Sequence, residues 1–113
     1  FLVAATGSAY PAVSTLVGTL GGFVTGSGTS SCVLFGRLQA DVARELCIEP
    51  RIFAAANGMG AGIGKMICPQ SIAIGAAAAS LAKSEGVILR KASVWWLVNI
   101  VLATVSVLVF TFR

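Results

Sequence analysis

Residues Ala92 to Phe112, ASVWWLVNIVLATVSVLVFTF, carry no charged side chain. As a helix they rise about 30 Å, the thickness of a bilayer's hydrocarbon core. Arg90 and Lys91 precede the run and Arg113 follows it, and Trp95 and Trp96 fall where an interfacial aromatic belt would lie. The alternative, a core helix of a soluble domain, conflicts with the composition. Of the 113 residues 57% are hydrophobic and only 11% charged, about half the charged share usual in a soluble domain. A small soluble domain exposes much of its surface and needs polar side chains to cover it. The expected solvent is therefore lipid.

The 13 glycines fit the same reading. In water each glycine weakens a helix by about 1 kcal/mol relative to alanine, whereas in a membrane small residues let helix backbones approach. The net charge of +4 does not suggest nucleic acid, because the basic residues form short clusters between apolar runs and not a face interleaved with aromatics. Cys32, Cys47 and Cys68 lack metal-ligand spacing and there is no histidine, so free thiols are expected, with no metal or cofactor. The chain opens at Phe1 without methionine or a charged n-region. It reads as a piece of a longer membrane protein with no signal peptide.

Two further apolar runs are interrupted near their middles. From Pro11 to Gly36 no residue is charged, yet Thr25-Gly26-Ser27-Gly28-Thr29-Ser30-Ser31 breaks the run. Unpaired backbone at membrane depth is tolerated only inside protein or beside a water-filled cavity. The expectation is a re-entrant hairpin over 11–38, with half-helices near Pro11–Val24 and Ser31–Leu38. The polar stretch 39–51 then reads as an amphipathic surface helix or linker, apolar at Val42, Ala43, Leu46 and Cys47 and ended by Pro50. The run 52–82 breaks where Gly58–Gly64 leads into Lys65-Met66-Ile67-Cys68-Pro69-Gln70, since proline and the residue before it disfavour a continuous helix. Halves near 52–64 and 70–82 are expected, then a polar loop over Lys83–Lys91 and the last span, 92–112. The fold class expected is an all-α, polytopic membrane-protein fragment, 1–113, with a re-entrant hairpin, a discontinuous transmembrane helix and a C-terminal transmembrane helix. Paired broken helices are the best sequence pointer to a transporter's binding site.

At a hairpin tip, free N–H groups and the positive end of a helix dipole can receive an anion. Ser27, Thr29, Ser30 and Ser31 add hydroxyl donors around Gly28, although the same hydroxyls could instead satisfy a tight turn. Lys65 is the only ionisable side chain between Arg51 and Lys83, apart from the thiol of Cys68. An ammonium at mid-membrane costs about 3 kcal/mol and is functional by default, unless it snorkels to the interface. Asn57, Gln70 and Ser71 are read as flanking the same break, either capping half-helices or binding a substrate hydroxyl. Gly18/Gly22 and Gly60/Gly64 are spaced for helix packing. GMGAGIGKM is not a phosphate loop, because Met59 and Met66 stand where glycine and a hydroxyl are needed, and Ile63 and Lys65 spoil a dinucleotide fingerprint. With no histidine and no acid in the apolar segments, a general base for enzymatic chemistry is not evident.

The run Gly21–Ser31, followed by Val33-Leu34-Phe35-Gly36 and Leu38-Gln39, resembles the lactate permease signature. Ala55-Ala56-Asn57, Gly64-Lys65-Met66-Ile67, Pro69-Gln70-Ser71-Ile72-Ala73, Glu85-Gly86 and Ile88-Leu89-Arg90 extend the resemblance over about residues 15–91. It implies a multi-pass plasma-membrane importer of L-lactate, D-lactate or glycolate coupled to protons, whose remaining N-terminal helices complete the transporter. It further implies a hairpin entering from outside and a cytoplasmic Lys83–Lys91. Related ion transporters carry Ser-Asn-Thr hairpin tips, whereas this tip reads Ser27-Gly28-Thr29. Two other readings stand beside it: a carrier of another anion such as a dicarboxylate, and a non-transporting membrane anchor.

Overall fold

The computed structural model describes residues 6–113; residues 1–5 of the expected single unit lie outside the described residues. The described chain is all helical. After a 3₁₀ turn at Gly7–Ala9 come α1 (Tyr10–Thr25), α2 (Gly28–Glu45), α3 (Pro50–Met66) and α4 (Pro69–Ala78), then a second 3₁₀ turn at Ala82–Ser84 and α5 (Glu85–Phe112).

The helix boundaries follow local chemistry. Pro11, Pro50 and Pro69 each stand in the first turn of a helix, where the missing N–H costs nothing and the fixed φ suits the helix. Gly26 ends α1 in the left-handed conformation (φ +64°), its N–H bonded to Gly22 O at 2.9 Å. α2 runs past Leu38 to Glu45, so most of the polar stretch is helical, as one of its two expected forms had it, but as the continuation of α2 and not a separate element. It continues because Val42 and Ala43 bury beside Tyr10 and Phe53, while Arg37, Asp41 and Arg44 pair along the outer face. Nor does Pro50 end it. Ile48 N–H bonds Ala43 O (2.9 Å) and Cys47 N–H bonds Arg44 O (3.2 Å), with Cys47 at φ +54°; this is a Schellman closure without glycine. The expected loop Lys83–Lys91 is likewise mostly helix, since α5 begins at Glu85, an acid in the first turn that complements the positive helix end.

α1 and α2 form an antiparallel hairpin. Tyr10 Oη donates to Gln39 Oε1 (3.1 Å), Gln39 Nε2 to Ser14 O (3.2 Å) and Ser31 Oγ to Gly18 O (3.3 Å). Tyr10, Val42, Ala43 and Phe53 close the end of the hairpin away from its turn, with the Tyr10 and Phe53 rings 5.2 Å apart.

α3 lies parallel to α1 at backbone contact. A Cβ added to Gly18 or Gly22 would collide with the backbone of Asn57 or Ala61, and one added to Gly60 or Gly64 with the backbone around Thr15 and Thr19. The glycine pairs therefore do what their spacing suggests. Because α1 and α3 run in the same direction, the α1–α2 turn and the α3–α4 interruption fall at the same end of the three-helix unit.

α5 returns antiparallel along α3. Arg51 and Ile52 share a groove with Val107 and Phe110, and Ile63 and Met66 share another with Asn99 and Ala103. Its 28 residues extend about 42 Å. By length and composition it is the one helix among the described residues apolar enough to cross a membrane. Only Ala103 and Val107 are buried along it.

Candidate functional site

The α1–α2 turn is shaped by three small residues. Thr25 Oγ1 donates to Gly21 O (2.7 Å) and accepts the Ser27 N–H (3.2 Å), which locks the turn. Ser27, in extended conformation, caps α2 by accepting the Ser30 N–H at 3.3 Å, and Ser31 N–H bonds Ser27 O. Gly28 and Thr29, the first two residues of α2, have N–H groups with no acceptor inside the helix.

The interruption between α3 and α4 has a matching end. The last turn of α3 closes through Ile67 N–H to Gly64 O (3.4 Å) and Cys68 N–H to Lys65 O (3.3 Å). Cys68 stands at the N-cap of α4 without a side-chain cap bond. Ile72 N–H bonds Cys68 O, Pro69 has no N–H, and Gln70 and Ser71 keep theirs free of the helix ladder.

These two features meet. A Cβ placed on Gly26 would lie 2.7 Å from Gln70 Oε1 and 3.3 Å from Cys68 Sγ. The chain just before the N-cap of α2 thus touches the N-cap of α4, and the Gln70 carboxamide lies over the turn. Two helix N-termini with free N–H groups and small or hydroxyl side chains are neighbours here, which is chemistry suited to a carboxylate.

The sequence-predicted residues fall into three groups. Ser27, Gly28, Thr29 and Ser30 form the turn and first turn of α2, and Gln70 and Ser71 lie across from them at the start of α4; Thr29, Ser30 and Gln70 are exposed and Ser71 half-buried. Lys65 is in the last turn of α3, exposed, one turn before Cys68. As a cation at a helix C-terminus it also offsets the negative dipole end.

Asn57 does not flank the break. It lies ten residues before Ile67, about 15 Å along the helix, buried with Nδ2 3.6 Å from Cys32 Sγ and Oδ1 without a partner. A polar residue beside a glycine-rich run reads as part of the break, whereas α3 continues past it to Met66 and holds it against Gly18. Sequence reasoning missed Gly26, Cys68 and Thr25. A glycine closing one helix and a residue preceding a helix-opening proline are signals that could have found the first two.

A groove of about 370 Å³ beside the break is lined by Phe23, Ile67, Pro69, Ile72, Leu89 and Glu85. An anion there would meet carbon and a carboxylate, so the groove is not part of the site.

Among the described residues the chain is all helical, with one helix long and apolar enough to cross a membrane. The family model for L-lactate permease matches residues 1–112, and the chain belongs to that family. It is 46% identical over 88 residues to the L-lactate permease of Bacillus subtilis (strain 168), covering 78% of this chain. To the glycolate permease GlcA of Escherichia coli (strain K12) it is 43% identical over 89 residues, 79% of this chain. The L-lactate permease of the same Escherichia coli strain is 46% identical over 88 residues, again 78% of this chain. In each case the match spans 16% of the relative's length. No solved structure matches. These relatives are named as permeases, transporters and not enzymes.

Proposed function

We propose that this chain is the part of a plasma-membrane, multi-pass permease that holds the carboxylate of a 2-hydroxy-monocarboxylate such as L-lactate or glycolate during proton-coupled transport. The single observation that carries the reading is the contact of the Gly26 turn with Cys68 and Gln70, in a chain whose relatives are named for these two substrates. In this reading 11–38 lies in a re-entrant hairpin whose second helix continues to Glu45, 52–82 is a discontinuous transmembrane helix and 92–112 a lipid-facing span. The depth of the break supports it. Met66, at the end of α3, lies beside Asn99 and Ala103, near the middle of α5, so a bilayer centred on α5 has the junction near its midplane. Irregular backbone is tolerated at that depth only inside protein or where it lines a water-filled cavity.

The roles divide by chemistry. N–H groups of Gly28 and Thr29, and of Gln70 and Ser71, take the carboxylate; Ser27 and Ser30 shape the turn that presents them. Lys65 contributes positive charge, and Asn57, packed against Gly18 in the α1–α3 seam, lies away from the junction. The rest of the transporter's helices, and the lipid around them, complete the cavity.

The test is uptake of radiolabelled L-lactate by the full transporter carrying this segment, in proteoliposomes. Uptake that rises with an imposed pH gradient and is competed by glycolate is expected. Competition by succinate but not by lactate would move the assignment to a dicarboxylate carrier, and folded protein without uptake of either would reject it.

A further inference from the structure

We infer that Gln70 reads the 2-hydroxyl of the substrate and so separates hydroxy acids from plain carboxylates; the inference rests on the carboxylate site proposed above. L-lactate and glycolate, for which the relatives are named, share a carboxylate and a hydroxyl on the adjacent carbon. Helix N–H groups bind any small carboxylate, so a second element must recognise the hydroxyl.

The hydroxyl both donates and accepts a hydrogen bond, and a carboxamide answers both. The other three carboxamides in the described residues are committed. Gln39 is bonded at the far end of the hairpin to Tyr10 and Ser14, Asn57 Nδ2 is turned to Cys32, and Asn99 Nδ2 donates to Trp95 O. Asn57 Oδ1 is unpartnered but buried about 15 Å from the break along α3. The nearby hydroxyls are partly spent too, with Thr25 Oγ1 locking the turn and Ser27 Oγ capping α2.

Gln70 differs from them in reach. It rises from the second residue of α4 and sets its amide against Gly26, spanning the gap between the two helix ends that hold the carboxylate. A hydroxyl one carbon from a carboxylate at those ends falls within its reach. Glycine at 26 is part of the arrangement, because a Cβ there would press on Gln70 Oε1 at 2.7 Å. Sites built to bond a substrate hydroxyl discriminate against analogues lacking it, because the site's own polar group is then left unpaired.

The experiment uses the full transporter in proteoliposomes, wild type and Gln70→Met, which keeps side-chain length and removes both donor and acceptor. KM for L-lactate and the inhibition constant of propionate, which lacks the hydroxyl, are measured in both. Expected is a rise of about 10-fold in KM for L-lactate, the loss of roughly one hydrogen bond, with propionate inhibition unchanged, so that the preference for the hydroxy acid collapses. Unchanged propionate inhibition also reports that the variant is folded. A preference that survives, or a parallel weakening of both ligands, overturns the role of Gln70 while leaving carboxylate transport standing. Absence of L-lactate transport by the folded wild type overturns the functional reading itself, and this inference with it.

Discussion

Small residues build two regions of this chain to opposite ends. Along the α1–α3 seam, Gly18, Gly22, Gly60 and Gly64 each meet the facing helix's backbone, so absent side chains become contact. At the junction of the α1–α2 turn with the start of α4, glycine and hydroxyl residues leave N–H groups uncommitted, and Gly28 has no atom within 4 Å of where its Cβ would be. The same amino acid thus serves close packing in one place and leaves open space in the other, and what decides is whether backbone faces it. The seam holds α1 and α3 in fixed register, and that register keeps the turn and the break together.

The sharpest way to break this comparison is on α3 itself. Gly60→Ala should destabilise by about 3 kcal/mol or more, since backbone cannot yield as a side chain can. Gly58→Ala, on the open face of the same helix with nothing within 4 Å, should be neutral or stabilise by up to about 1 kcal/mol. The yield of monodisperse full transporter after detergent extraction checks both, and equal losses would refute the seam.

Away from the junction, Tyr10→Phe strands the buried Gln39 Oε1 and should cost about 1–3 kcal/mol. Thermal unfolding of the full transporter should show that loss with KM for L-lactate unchanged, which separates the closed end of the hairpin from its turn. Ser27→Ala should do the reverse. It removes the cap on Ser30 N–H, costs about 1 kcal/mol locally, and should raise KM more than it lowers the unfolding temperature. The smallest effect is expected at Ser80, φ +55° and half a turn beyond α4, where glycine should stabilise by up to about 1 kcal/mol by relieving left-handed strain. Unfolding temperature checks this, with transport unaffected.

Much of this architecture was legible because it depends on patterns local in sequence. The uncharged run 92–112 announced α5, the glycine spacing announced the seam, and Pro69 announced the break. The true length of α2 was hidden because Arg37, Asp41 and Arg44 look like a linker until Val42 and Ala43 are seen to bury against α1 and α3. The same holds for α5, whose first turns carry Glu85, Arg90 and Lys91. Asn57 falls away from the break because the point at which a glycine-rich run stops being helical is not written in the run itself, and α3 continues through Gly58–Gly64 to Met66. The contact of Gly26 with Cys68 and Gln70 joins residues more than forty positions apart, and depends on the parallel packing of α1 on α3 that no single segment encodes.

The central claim is that the turn and the break form one carboxylate site. Its most direct test is peptide-resolved alkylation of the full transporter bearing Thr29→Cys, with and without L-lactate. Thr29 is exposed at the start of α2, and native Cys47, exposed beyond the other end of that helix, is the internal control. The account predicts that L-lactate slows labelling at position 29 and leaves Cys47 unchanged. Labelling at position 29 that ignores L-lactate, in protein that still transports it, would contradict the account.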